Sequence, residues 1–186
     1  MMAYMVEADV NSYGTLVGGD NSLPLPTAFH RWSEPYPVIP EPVQVSWVPG
    51  ELPMKPNIIR HNLLRDFAVD ELALGTLASA VESTITVYAR LVVDGVTFFV
   101  IQATTVLDVV NVQQSVRSEY AWQEFAFPHI PESCDSVTDR KFFRVPNKGA
   151  GLSTFVGNRI KQAYDEAGLT GWLFNEARVP VDPWES

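Results

Sequence analysis

Three histidines are the side chains of this sequence best suited to bind a metal ion or to transfer a proton. They are His30, His61 and His129, and no two of them stand four residues apart or form an H-E-x-x-H motif. A metal site would therefore require three distant segments to converge. We expect capping or surface roles for these histidines, and we expect neither a metal nor another cofactor.

The other groups with catalytic potential are one cysteine and a glycine-rich stretch. Cys134 lies close to Glu132 and Asp135, whose negative charges disfavour a thiolate nucleophile. The stretch YGTLVGGD does not match the G-x-G-x-x-G phosphate-binding motif. Since no nucleophile, base and oxyanion donor occur together, the sequence predicts a protein that is not an enzyme.

Residues 118–139 combine acidic and aromatic side chains and contain no Lys or Arg, whereas residues 140–164 are basic and contain no acidic residue. Aromatic anchors among charged residues are typical of protein–protein interfaces. The candidate partner-binding residues in this acidic segment are Glu119, Trp122, Glu124, Glu132, Asp135 and Asp139. In the alternative interpretation, the aromatic side chains belong to the core and the acidic ones form a solvated rim.

The composition is that of a globular protein with an acidic surface. The 186 residues carry a formal net charge of −9, which disfavours nucleic acid and suits a basic partner or simple solubility. A single cysteine excludes an internal disulfide, and no apolar run approaches the roughly 20 residues of a membrane span. The N-terminus lacks a signal-peptide pattern. We expect a single cytoplasmic domain with neither a nucleic-acid nor a membrane partner, and the oligomeric state stays open.

The elements that would position these residues begin with a proline-rich arm. Proline lacks a backbone donor, so residues 1–56 are predicted to be loop-rich, with a short strand at 43–48. Interleaved aromatic and β-branched residues favour an ordered arm packed on a core of residues 57–186. The alternative is a proline-rich ligand for another domain.

The core is predicted to hold a helix over 70–81, capped by Asp70, and a hairpin of 84–93 with 96–103 around Asp94-Gly95. Residues 120–139 are predicted to be loop-like, and RKFFRVP to form a strand. The apolar helix face is formed by Leu74, Leu77, Ala78 and Val81.

The chain closes on a predicted helix followed by a strand. Ser153 or Thr154 is the expected cap, Gly168 the left-handed stop and LTGWLF the strand. The apolar stripe of this helix is Val156, Ile160, Ala163, Tyr164 and Ala167. These elements predict an α+β fold: a mostly antiparallel sheet with two main helices and an extended Pro-rich N-terminal arm.

The same closing stretch, FFRVPNKGAGLSTFVGNRIKQAYDEAGLTGWLFNEA, resembles the C-terminal signature of the Imm11-like (DUF1629) family of bacterial polymorphic-toxin immunity proteins. The matching residues are Phe142, Phe143, Arg144, Ala167, Gly168, Leu169, Thr170, Gly171 and Phe174. A second stretch, GVTFFVIQATTVLDVVNVQQSV, is similar to a strand of that family followed by a D-x-x-x-S segment, which places Asp108, Val109, Val110 and Ser115 in it. Together the stretches lie within residues 96–177 and cover somewhat under half the chain.

The resemblance implies an intracellular inhibitor, encoded beside a toxin, that binds the toxin without a cofactor. It does not identify the toxin, and neither stretch carries catalytic residues. Two other functions stay open: a structural or assembly protein of a phage or secretion system, and a small enzyme whose site is assembled from distant residues. Self-assembly would favour the former, and a deep pocket with convergent Asp, Glu or His the latter.

Overall fold

The computed structural model describes residues 2–19, 36–61, 66–82, 85–117, 125–146 and 153–177. The strands are β1 (Ala3–Ala8), β2 (Thr15–Val17), β3 (Val43–Gln44), β4 (Ser46–Val48), β5 (Ile58–His61), β6 (Phe67–Val69), β7 (Ile85–Val93), β8 (Val96–Ala103), β9 (Thr105–Val106), β10 (Val116–Arg117), β11 (Phe125–Phe127), β12 (Phe142–Arg144), β13 (Thr154–Gly157) and β14 (Trp172–Glu176). The helices are α1 (Val10–Tyr13), α2 (Glu71–Ala80), α3 (Asp135–Thr138) and α4 (Asn158–Glu166), with a 3-10 helix at Glu132–Cys134.

A five-stranded sheet has the order β14-β1-β13-β12-β9, so the N-terminal strand β1 lies inside it. β1 pairs antiparallel with both β13 and β14 and is covered on both faces, with Met5 in one core cluster and Val6 in another. The prediction that residues 1–56 are loop-rich is therefore wrong for the first 17 residues. The prolines behind that prediction begin only at Pro24, and the apolar residues before them pair freely.

A seven-stranded sheet has the order β3-β7-β8-β6-β5-β2-β4. β3 and β4 stand at its two opposite edges, yet only Val45 separates them in the chain. The sheet therefore curls until its edges nearly meet, and its concave side is filled by apolar residues that include Leu16, Tyr88 and Leu91. The single strand predicted over 43–48 is in this way divided between two edges.

The β7–β8 hairpin follows the prediction closely. Asp94 has φ 50° and Gly95 has φ 79°, the positive values that a tight two-residue hairpin turn requires. The register shifts between Val87 and Ala89, so Tyr88 forms a bulge. Most strand pairs in the described residues are antiparallel and three are parallel, which confirms the α+β class and the mostly antiparallel sheet.

The two main helices, α2 and α4, pack against each other beside a core built from both sheets. Asp70 caps α2, because its Oδ1 accepts a hydrogen bond from the Ala73 N–H at 2.8 Å. The buried face of α2 differs in part from the predicted one, since Ala73 is buried beside Leu77 and Ala78 is exposed. Ala73 precedes Leu77 by four residues, so the two share a face.

The closing helix begins later than predicted. Residues Thr154–Gly157 form β13, and α4 starts at Asn158 with Gly157 as its N-cap, so neither Ser153 nor Thr154 caps it. The helix ends as predicted: Gly168 has φ 63°, and the Leu169 N–H donates to the Tyr164 carbonyl at 3.1 Å. The strand β14 then follows.

Candidate partner-binding surface

The acidic segment is partly helical where a loop was predicted. The 3-10 helix carries Glu132 and α3 begins at Asp135, and both residues reach the surface. The segment is held from below by Ile130 and Thr138, which are buried; the Ile130 N–H donates to the Ala177 carbonyl at 2.6 Å. Of the six candidate residues, Glu119, Trp122 and Glu124 lie outside the described residues.

Asp139 lies beside a basic residue of the closing helix α4. Its Oδ2 lies 4.0 Å from Arg159 Nε, and its backbone carbonyl accepts from the Arg159 N–H at 3.1 Å. Asp139 and Arg159, together with Arg140, line a polar depression of about 440 Å³ between α2 and α4. The structure therefore assigns Asp139 to a mixed-charge cleft, and of the described candidate residues only Glu132 and Asp135 remain in the acidic segment.

A second depression, which we call the α2 groove, runs between the start of α2 and the β7–β8 hairpin. It consists of two adjoining hollows of about 550 and 340 Å³ that share Arg90 and Phe99. Segment 38–42 forms one wall and α2 forms the other. The remaining lining residues are Val38, Ile39, Pro40, Pro42, Asp70, Glu71, Leu72, Leu74, Val87, Tyr88, Ala89, Val96 and Thr97. An open groove with apolar and acidic walls suits binding of another molecule.

A buried polar cluster joins the two sheets. Asp66, just before β6, forms an ion pair with Arg144 at the end of β12, and both side chains are only 4% exposed. The Tyr88 hydroxyl donates to the other carboxylate oxygen of Asp66 at 3.3 Å. Arg144 was expected to be one of the basic residues of segment 140–164 and to match the closing signature, and its burial with Asp66 was not predicted. Since the cluster is enclosed, its clearest role is to fix the two sheets relative to each other.

Burial raises the pKa of Tyr88 well above its ordinary value, and the negative charge of Asp66 raises it further. An acid whose pKa is raised by folding stabilises the native state below its unfolded pKa, about 10 for tyrosine. That stabilisation is lost as the pH rises beyond this value, because only the unfolded chain then releases the proton.

Replacing Tyr88 with Phe tests this linkage. In urea melts the wild-type midpoint should fall as the pH rises above about 10, and Tyr88→Phe should show a shallower decline. At neutral pH the free energy of unfolding of the variant should be about 1 kcal/mol lower, because the hydrogen bond to Asp66 is lost. Identical slopes for the two proteins would show that the Tyr88 hydroxyl is not buried.

The two histidines that the structure describes lie apart from each other. His61 is buried, with its Nε2 2.7 Å from the Gly18 carbonyl oxygen, and the backbone N–H of His129 donates to Ser115 Oγ at 2.9 Å. His30 lies outside the described residues. Within the described part of the chain, no group of three or more His, Cys, Asp or Glu side chains is arranged to hold a metal ion.

No protein-family model matches this sequence, and no curated protein matches it. The resemblance of residues 96–177 to immunity proteins therefore stays a prediction from the sequence. None of the helices in the described ranges is both long and apolar enough to cross a membrane.

The α2 groove was not predicted from the sequence, because segments 38–42, 70–74 and 87–99, which form it, are far apart in the chain. One signal was available. Leu72 is apolar but stands off the buried Ala73–Leu77 face of its helix, which places a large apolar side chain toward solvent. An exposed apolar residue of this kind indicates a binding surface when further exposed apolar residues lie nearby.

Proposed function

We propose that this protein is a cytoplasmic immunity protein that binds and neutralises a cognate bacterial toxin without catalysis of its own. One structural observation carries the proposal: Glu132 and Asp135 are presented at the surface on a short helical segment with a buried base. A fixed base lowers the entropy lost when a partner orders this segment. The resemblance of residues 96–177 to an immunity-protein family supplies the functional class.

The charge of the protein favours a basic partner. A net charge of −9 produces a negative field, and surface carboxylates such as Glu132 accelerate encounter with a positively charged protein. The effect acts on the association rate and weakens as salt screens it over about 10 Å at 0.1 M. A toxin with a basic face, such as a nuclease, fits this electrostatic requirement.

The experiment is co-expression with the toxin encoded beside this gene, followed by binding kinetics with the purified partners. The double variant Glu132→Gln, Asp135→Asn should associate about 3- to 10-fold more slowly than wild type at low salt, and the difference should shrink at high salt. Its dissociation rate should change little.

The matched control is Glu7→Gln, Glu176→Gln, which removes the same charge from exposed positions on the neighbouring strands β1 and β14. Equal association rates for the two double variants would remove the acidic segment from the interface. If the wild type neither protects cells nor binds the toxin, the immunity function itself is wrong.

One observation favours a second candidate, a structural or assembly protein of a phage or secretion system. β14 is an edge strand of its sheet and exposes Leu173, which is 46% accessible. Exposed edge strands pair with other chains. Light scattering distinguishes the two functions: rings or filaments support assembly, and a species of constant low mass supports an inhibitor.

A further inference from the structure

The walls of the α2 groove are fixed by hydrogen bonds. The Ile39 N–H donates to the Tyr88 carbonyl at 2.7 Å, which attaches segment 38–42 to the edge of β7. The Arg90 guanidinium donates to the Pro40 carbonyl oxygen. On the other side, Asp70 Oδ2 accepts from Asn57 Nδ2 at 2.8 Å and fixes the start of α2. A ligand would therefore meet a groove that is already formed, which reduces the entropy cost of binding.

The surface of the groove and its margin expose several large apolar side chains. Val38 is 67% exposed, Leu72 is 56% exposed and Val96 is 45% exposed, and all three line the groove together with Phe99. Single exposed apolar residues are ordinary, but a group around one depression marks a binding surface. Such a depression accepts an aromatic or aliphatic anchor from a partner.

The charge of the groove selects the kind of partner. Glu71 in the first turn of α2 is exposed, and so is Glu41, which lies between Pro40 and Pro42 in the wall formed by segment 38–42. Neither carboxylate has a cationic partner among the described residues. The guanidinium of Arg90, the basic group of the groove, is directed to the Pro40 carbonyl. A Lys or Arg next to the inserted anchor would therefore meet two exposed carboxylates, with which no cation of the described ranges forms an ion pair.

We propose that the α2 groove is a docking site for an apolar side chain flanked by Lys or Arg on the partner protein. This inference deepens the proposed function and rests on it, since the partner is the basic toxin. The exposed face of α2 links the groove to the Asp139 cleft at the other end of the helix, about 15 Å away for ten residues.

Selection of random dodecapeptides on the full-length protein tests the groove without the toxin. The wild type should enrich peptides in which an aromatic or aliphatic residue is adjacent to Lys or Arg. Leu72→Lys should weaken binding of these peptides about tenfold or more, because it removes apolar contact and repels the basic residue. The matched control Leu173→Lys, at a similarly exposed position outside the groove, should stay within about twofold of wild type.

Several results would overturn the inference. They are enrichment of acidic peptides, equal binding by Leu72→Lys and Leu173→Lys, and no enrichment at all, which would mean that another part of the chain closes the groove. A dimer seen in light scattering that Leu72→Lys dissociates would assign the groove to a second copy of this chain.

Other results distinguish the docking site from the immunity function. If Leu72→Lys still binds the toxin with wild-type affinity, the docking site is wrong while the immunity function stands. If the wild type binds the selected peptides but no toxin, the groove stands as a peptide site and the immunity function is wrong.

Discussion

Replacing Arg144 with Met should destabilise the protein by on the order of 3–5 kcal/mol, because Asp66 would remain buried without its cation. The ion pair is almost fully removed from water, and Asp66 also accepts a hydrogen bond from the Tyr88 hydroxyl. It connects the end of β12 in one sheet to the start of β6 in the other. We therefore expect a large fall in the urea midpoint and weaker packing between the two sheets.

The double variant Asp66→Leu, Arg144→Met should lose less stability than the sum of the two single variants, since it removes both buried charges. Arg140→Met is the surface control: its ion pair with Glu82 spans 2.8 Å, but the two side chains are 44% and 52% exposed. Exposed pairs contribute about 1 kcal/mol or less. Equal losses for Arg144→Met and Arg140→Met would show that the Asp66–Arg144 pair is not buried in solution.

Gly171→Ala should also cost about 3 kcal/mol or more. Gly171 has φ 108°, and a Cβ at this position would lie 1.8 Å from the Ile58 carbonyl oxygen. In the same turn, the Gly171 carbonyl accepts a hydrogen bond from the Asp9 N–H, and the Thr170 carbonyl accepts one from the Ile58 N–H. The substitution would therefore push apart β5 and the turn that leads into β14.

Two other glycines separate the cost of a positive φ from the cost of the close contact with Ile58. Gly95→Ala shares the positive φ, 79°, but has open space around its Cβ, so it should cost only about 1–2 kcal/mol. Gly75 lies within α2 with open space and no positive φ, so Gly75→Ala should stabilise the protein by about 1 kcal/mol. If Gly171→Ala costs no more than Gly95→Ala, the close approach to Ile58 does not exist in solution.

Local signals in the sequence were sufficient for several elements. Asp94-Gly95 predicted the hairpin because few dipeptides tolerate two positive φ values. Asp70 and Gly168 predicted one helix start and one helix end through their caps. Each of these depends on residues close in the chain, so tertiary structure does not alter them.

Other elements depended on distant partners. Val156 stands four residues before Ile160, which is a helical spacing. In the structure it belongs to β13, which pairs with β1 on one side and with β12 on the other. A strand buried on both faces has no alternation of apolar and polar residues to reveal it. β1 was missed for the same kind of reason, since its partners β13 and β14 are about 150 to 170 residues away.

The candidate site shows the same division. Glu132 and Asp135 were found because their charges are adjacent in sequence, and the structure places them at the surface. Asp139 was grouped with them, but α4 brings Arg159 to its side. The Asp66–Arg144 pair spans 78 residues, and neither residue alone carries a signal of burial. Charge patterns can thus be seen in a sequence, whereas their neutralisation by a distant element cannot.

The proposed inhibitor function is tested most directly by the mass and affinity of a complex between this protein and an inactive variant of the proposed toxin partner. Light scattering after size exclusion should show a stable complex of defined stoichiometry, and calorimetry should give a dissociation constant in the nanomolar range or below, about −12 kcal/mol. That affinity should weaken as salt is added, since the acidic surface contributes to encounter. If no complex forms at micromolar concentrations of both proteins, this chain is not the inhibitor of that toxin.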